Sequence, residues 1–142
     1  MTINQISIFL ENKYGTLNTV LNLLADAGIY VIAATVADTQ EFGIMRLIVS
    51  EPQRAYVVLK ENNVSVHLTD VFAIALPQNS AAALRDTITQ LTKAGLNIEY
   101  MYTFAHHGDL VLILRTNNPE STREVIRRQE IKHLSENDLN KI

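Results

Sequence analysis

Apolar and polar residues alternate at the start of the chain, and the spacing then becomes helical. The run ISIFL alternates as a half-buried strand does. Apolar residues next recur every three or four positions, at Leu17, Val20, Leu21 and Leu24. Gly28 is a typical helix stop, and the runs IYVIAATVA and IMRLIVS on either side of Gly43 predict a β-hairpin. Pro52 opens a second helix before the strand-like VSVHL, so the predicted order is β-α-β-β-α-β.

The same landmarks recur 67 positions further along the chain. Asn12, Leu17, Leu24, Ala27, Gly28, Pro52 and Val58 are matched by Asn79, Leu84, Leu91, Ala94, Gly95, Pro119 and Val125. In the hairpin alone, FGIMRLIV aligns with HGDLVLIL after a further shift of two residues. Because the identities fall on helix ends and apolar faces, we predict two copies of one unit, residues 1–69 and 70–142.

The junction and the end of the chain complete the predicted fold. Neither glycine nor proline lies between Val64 and Leu76, so the last strand of one copy should run directly into the first strand of the next. Ser135 and Asp138 have the spacing of a capping box and predict a short terminal helix. The predicted class is α+β, with two tandem ferredoxin-like βαββαβ units whose antiparallel sheets carry helices on one face.

Composition excludes several classes of partner. The chain has 142 residues, 47% of them hydrophobic, so it can build cores. Its net charge of −3 gives no field to gather phosphates, and no apolar stretch approaches 18 residues, so we expect neither nucleic acid nor a membrane as partner. Without cysteine or a basic leader segment, a cytoplasmic location is expected.

The remaining chemistry lies in the first loop, NKYG. A helix N-terminus presents backbone N–H groups that favour a carboxylate, and Gly15 would allow close approach. The Asn12 side chain can accept from an ammonium and donate to a carboxylate, and a free amino acid carries both groups. The alternative is that Asn12 only caps the turn and Gly15 only supplies a backbone angle.

The run ENKYGTLNTVLNLLADAGIYV, followed by RLIV, resembles the ACT domain, a module that senses small molecules in amino-acid-regulated proteins. The family pattern is Asn-x-Pro-Gly-x-Leu, then a helix ending in Gly-Ile-Asn-Ile. The first copy matches it at Asn12, Gly15, Leu17, Gly28 and Ile29, with Tyr14 and Tyr30 as departures. The second copy matches at Asn79, Leu84, Gly95, Asn97 and Ile98, with Ala81 and Ala82 replacing Pro-Gly. The resemblance extends over nearly the whole chain, to stand-alone double-ACT proteins without a catalytic domain.

This resemblance implies a non-catalytic regulatory protein that binds a free amino acid between the first loop of one domain and the second strand of its neighbour. Because ACT-like sheets have open edge strands, the two copies should pair with each other or with a second chain, and a homodimer is expected. The protein would modulate a partner enzyme of amino-acid metabolism and need no cofactor. The implied loop residues are Asn12, Lys13, Tyr14, Gly15, Thr16, Leu17, Asn79, Ser80, Ala81, Ala82, Ala83 and Leu84, and the implied strand residues are Tyr30, Val31, Ile32, Asn97, Ile98 and Glu99. Because Ala82 replaces the glycine of the pattern, two equal sites are not assumed, and whether both copies bind a ligand is left open. Alternatives are a structural module without ligand binding and, more distantly, a small enzyme, for which no nucleophile and base are suitably spaced.

Two other clusters have simpler interpretations. His106, His107 and Asp109 lie at a predicted hairpin tip, where adjacent strand side chains point to opposite faces, so no metal site is expected. The aromatic stripe of Tyr100, Tyr102 and Phe104 is interpreted as packing, with the wall of a ligand pocket as the alternative.

Overall fold

The computed structural model describes residues 1–11, 13–38, 42–76 and 81–140, and the chain divides into two compact units. The first unit is Asn4–Asp70. The second unit is Val71–Ile142 together with Met1–Ile3.

The described residues contain six strands and five helices. The strands are β1 (Ile3–Leu10), β2 (Val31–Asp38), β3 (Gly43–Val49), β4 (Val66–Leu76), β5 (Ile98–His106) and β6 (Asp109–Thr116). The helices are α1 (Lys13–Asp26), α2 (Pro52–Glu61), α3 (Ala81–Lys93), α4 (Pro119–Arg128) and α5 (Glu136–Asn140). Within these residues, no helix is long and apolar enough to cross a membrane. The predicted order β-α-β-β-α-β is confirmed in the first unit.

The first unit is an antiparallel sheet in the order β2-β3-β1-β4, with α1 and α2 on one face. Ile6 pairs with Leu47 across β1 and β3, and Ala34 pairs with Leu47 across β2 and β3. One apolar core joins that sheet face to both helices: Ile6, Ile8, Leu10, Val20, Leu24, Ile29, Met45, Leu47, Val49, Ala55, Leu59, Val64 and Val66. The alternation in the strands and the helical spacing in α1 therefore point to the same core.

The second unit repeats this plan with strands β4, β6 and β5 side by side. Its core lies between one sheet face and helices α3 and α4, and consists of Phe72, Ile74, Leu76, Leu91, Leu96, Leu112, Leu114, Val125 and Ile126. The fourth strand position is reduced to a bridge between His133 and Ile74. Two backbone hydrogen bonds hold that segment, from Ala75 N to Lys132 O (2.9 Å) and from Leu134 N to Ala73 O (2.8 Å).

The 67-residue repeat is visible in the backbone as well as in the sequence. Four residues with positive φ form two pairs at this distance, Gly28 (69°) with Gly95 (82°) and Asn63 (61°) with Glu130 (52°). A register shift occurs between Val31 and Ala33 in β2 and between Ile98 and Tyr100 in β5, so the bulged residues Ile32 and Glu99 are also 67 apart. The two copies therefore share turn geometry and bulge position.

The further shift of two residues predicted for the hairpin is wrong. Val31 pairs with Val49 in the first hairpin, and Ile98 pairs with Thr116 in the second. Both strands thus keep the 67-residue offset. The two hairpin sequences also look alike after a shift of two residues, because such a shift leaves the alternation of apolar and polar residues in a strand unchanged.

Two predictions about the junction and the terminus are confirmed. The last strand of the first copy and the first strand of the second are one strand, β4, within which the units divide between Asp70 and Val71. The terminal helix α5 begins with a capping box: Ser135 N and Oγ donate to Asp138 Oδ2 (2.9 and 3.0 Å), and Asp138 N donates to Ser135 Oγ (3.2 Å).

Candidate functional site

The first turn of α1 borders a groove of about 310 Å³ in the first unit. The turn between α2 and β4 forms the opposite wall, and the end of β1 lies beside them. The described lining residues are Phe9, Glu11, Gly15, Thr16, Thr19, Asn62, Asn63, Val64 and Ser65. This volume suits a molecule of amino-acid size.

The groove is rich in neutral groups that can form hydrogen bonds. Thr16, Thr19 and Ser65 bring hydroxyls, and the adjacent residues Asn62 and Asn63 bring amides. Because α1 is 14 residues long, its N-terminus carries a partial positive charge next to these groups. The arrangement can therefore accommodate a carboxylate at the helix start together with polar groups facing the opposite wall.

The turn from Asn62 to Ser65 is held by the end of α2. Asn62 N and Val64 N both donate to the carbonyl oxygen of Leu59, at 3.1 and 3.0 Å, and the Asn62 side chain donates to Val58 O at 2.8 Å. Asn63 has a φ of 61°, which asparagine tolerates better than most residues. This wall was not predicted from the sequence, although the pair of asparagines between a helix and a strand is a turn signal that could have indicated it.

The structure brings part of the predicted first-copy loop to the groove. Gly15 and Thr16 line it, whereas the half-buried Leu17 packs against the core of the first unit. Helix α1 begins at Lys13, so Gly15 lies within the first turn of the helix and not in a loop before it. Tyr14 is the second residue of α1, and Asn12 lies outside the described residues. Thr19 Oγ1 donates to Gly15 O at 2.9 Å, and this bond links the first and second turns of α1.

The predicted strand residues of the first copy lie on the edge strand β2. Tyr30 is 77% exposed and Val31 42% exposed, while Ile32 is the half-buried bulged residue. Val36 pairs with the core residue Met45 and is still 51% exposed. The helix-facing side of this edge strand is thus left open in the first unit.

The predicted loop residues of the second copy begin helix α3. Ala81, Ala82, Ala83 and Leu84 are its first four residues, and Leu84 packs against the second core. Asn79 and Ser80 lie outside the described residues.

The predicted strand residues of the second copy lie at the start of β5. Asn97 N donates to Asn117 Oδ1 at 3.0 Å, which repeats the bond from Tyr30 N to Ser50 Oγ in the first copy. Ile98 opens β5 and is half-buried. Glu99 forms an ion pair with Arg115, with 3.2 Å between Oε1 and Nε.

The histidine cluster of the second unit differs from its prediction in one respect. His107 has a φ of 50° and lies in the turn rather than in the strand, so its ring lies 4.2 Å from that of His106 instead of on the opposite face. His106 Nε2 lies 3.2 Å from the carbonyl oxygen of Asp138. Among the residues that the structure describes, no three His, Cys, Asp or Glu side chains are grouped to hold a metal ion.

The structure is a tandem of two ferredoxin-like units with a polar groove beside the first turn of α1 in the first unit. A family model for an ACT domain pair matches residues 1–142, and the chain belongs to this family. The crystal structure of a protein from Bacteroides thetaiotaomicron superposes with a TM-score of 0.91 at 39% identity, covering 100% of this chain and 98% of that chain.

Regulatory subunits of aspartate kinase share the fold at lower identity. The subunit from Thermus thermophilus is 18% identical, with a TM-score of 0.59, 88% of this chain covered and 91% of that chain. The subunit from Thermus flavus is 16% identical, with a TM-score of 0.56, 88% of this chain covered and 90% of that chain. A search of curated proteins found no match.

Proposed function

We propose that this protein is a non-catalytic sensor that binds a free amino acid and modulates a partner enzyme of amino-acid metabolism. The observation that carries the proposal is the polar groove at the start of α1, in a chain that belongs to the ACT domain pair family. Proteins of similar fold include the regulatory subunits of aspartate kinase, which are regulators by name.

In the proposed binding mode, the ligand carboxylate meets the backbone N–H groups of the first turn of α1, near Gly15. The hydroxyl of Thr16 adds a second donor at the same end of the groove. The ammonium is received by the side chain of Asn12 and by a carbonyl group of a neighbouring strand. Charged groups of the ligand thus meet a helix N-terminus and a neutral amide, which require no buried charge in the protein.

We further propose that the site is completed in a homodimer, through the edge strand β2 of the first unit. Eight large apolar residues are at least 36% exposed in the described chain, and half of them lie on α1, β2 and the turn between: Leu21, Tyr30, Val31 and Val36. An edge strand with open hydrogen-bonding groups and apolar side chains favours pairing, and a second copy in antiparallel orientation would be self-complementary. In this arrangement residues 30–32 of one chain face the first loop of the other.

A thermal-shift screen of the twenty amino acids followed by calorimetry tests the proposal. A ligand that binds the native state raises the melting temperature, by an amount that grows with its concentration. Asn12→Ala removes one polar partner and should weaken binding by about 1 to 3 kcal/mol, about tenfold to a hundredfold. Asn79→Ala, at the equivalent position of the second copy, is the matched control.

The competing function is a structural partner domain that has lost ligand binding. It predicts no thermal shift with any amino acid at millimolar concentration, and equal behaviour of the parent and Asn12→Ala. Either result would decide for the structural domain.

A further inference from the structure

We infer that only the first copy binds the amino acid, so each chain has one ligand site although it carries two copies of the fold. This inference rests on the proposed function. It follows from a comparison of the groove residues with those found 67 positions later.

The backbone around the two positions is the same. Asn63 N donates to Lys60 O at 3.2 Å, and Glu130 N donates to Arg127 O at 3.2 Å. The next residue in each copy, Val64 or Ile131, donates to a carbonyl at 3.0 or 2.9 Å. Any difference in binding that arises at this turn must therefore come from its side chains and not from its backbone path.

The side chains differ at every described groove position of the loop, helix and turn. Gly15, Thr16, Thr19, Asn62, Asn63, Val64 and Ser65 correspond to Ala82, Ala83, Asp86, Gln129, Glu130, Ile131 and Lys132. Among these pairs, the hydroxyl of Thr19 and the amide of Asn63 are replaced by the carboxylates of Asp86 and Glu130. Gly15 and Thr16 are both replaced by alanines. The first-copy groove carries one carboxylate, Glu11 at the end of β1, and neutral side chains at its helix and turn positions. The corresponding helix and turn positions of the second copy carry two carboxylates and a lysine.

The carboxylates oppose the binding mode proposed for the first copy. Ionised Asp86 and Glu130 accept hydrogen bonds and cannot donate them, so a ligand carboxylate would meet like charge where the first copy has the neutral side chains of Thr19 and Asn63. Asp86 forms an ion pair with its neighbour Arg85, with 3.1 Å between Asp86 Oδ1 and Arg85 Nη2. That ion pair is exposed, and it does not restore a hydroxyl or an amide.

The cation at the position of Ser65 does not compensate. Lys132 lines a different cavity, together with His106, His133 and Asp138. Its backbone oxygen is fixed by the hydrogen bond from Ala75 N, which places this residue beside β4. The second copy therefore lacks the Thr16 hydroxyl and carries carboxylates at two positions that are neutral in the first copy.

Calorimetry with the amino acid selected by the thermal-shift screen tests the inference through reciprocal exchanges. The full-length parent should bind one ligand per chain. Asn63→Glu, which places the second copy's side chain on the same backbone turn, should lower affinity at least tenfold, whereas Glu130→Asn should change it less than twofold. Thr19→Asp and Asp86→Thr form a second reciprocal pair at exposed helix positions, and they test the inference if Asn63→Glu fails to fold.

Two ligands per chain, or equal affinities for the two members of each reciprocal pair, would overturn the inference while the proposed function stands. Absence of binding by the parent with all twenty amino acids would remove the proposed function and this inference with it.

Discussion

Val36→Lys should dissociate the proposed homodimer without unfolding the first unit. Val36 lies on the helix-facing side of the edge strand β2, opposite the core residue Met45, and is 51% exposed. Full burial of a valine side chain contributes about 1.5 to 3 kcal/mol, so covering the exposed half contributes about 0.8 to 1.5 kcal/mol. An isologous interface contains the residue twice, which gives about 1.5 to 3 kcal/mol of association free energy.

Loss of this contribution should raise the dimer dissociation constant about tenfold to a hundredfold, and the two lysine charges would add to the effect. Sedimentation over a concentration series measures the change. Thr103→Lys is the matched control, because Thr103 lies 67 residues later and pairs with the core residue Leu112 in the same way. Circular dichroism should show the parent's fold in both variants, since both positions are exposed.

The reasoning is refuted if Val36→Lys and Thr103→Lys shift the equilibrium equally, because the apolar edge of the first unit would then have no special role. A parent protein that sediments as a monomer at every concentration would refute the homodimer itself.

Two further predictions concern stability. Thr116 and Thr122 form a buried hydroxyl pair at 2.6 Å in the second unit, so Thr116→Val and Thr122→Val should each cost about 1 to 3 kcal/mol in urea unfolding. The double variant should lose less unfolding free energy than the sum of the two single losses, by about 0.5 to 3 kcal/mol, because the first copy carries the apolar Val49 and Ala55 at these positions. Additive losses would contradict this prediction. Gly28→Ala should lose about 1 to 2 kcal/mol, since a Cβ there meets no atom within 4 Å and only the φ of 69° opposes it. Gly28→Asn should lose less, and an unchanged melting temperature for Gly28→Ala would contradict the left-handed turn.

Much of the fold could be predicted from the sequence because its signals are local. The spacing of Leu17, Val20 and Leu24 in α1 depends only on the helical period, and the capping box of α5 depends on two residues three positions apart. The repeat could also be recognised in the sequence, because both copies need a glycine where the backbone adopts a left-handed conformation, at Gly28 and Gly95.

The candidate site was only partly predictable. Gly15 and Thr16 belong to a loop pattern and were found from it, whereas Asn62 and Ser65 reach the groove from a segment almost 50 residues away. Nothing in the spacing of those residues indicates which helix they will face. Their role depends on the packing of α1 and α2 against one sheet.

The sequence by itself thus determined the elements, their order and the doubling of the unit, since periodicity, caps and turn residues act over a few positions. Only the tertiary structure decided that the first unit leaves Val36 exposed on an open edge, that the second unit replaces its fourth strand by the bridge at His133, and that the α2–β4 turn closes one side of the groove. These features depend on contacts between segments distant in the chain, where the burial of a side chain is set by its neighbours in space and not by its neighbours in sequence.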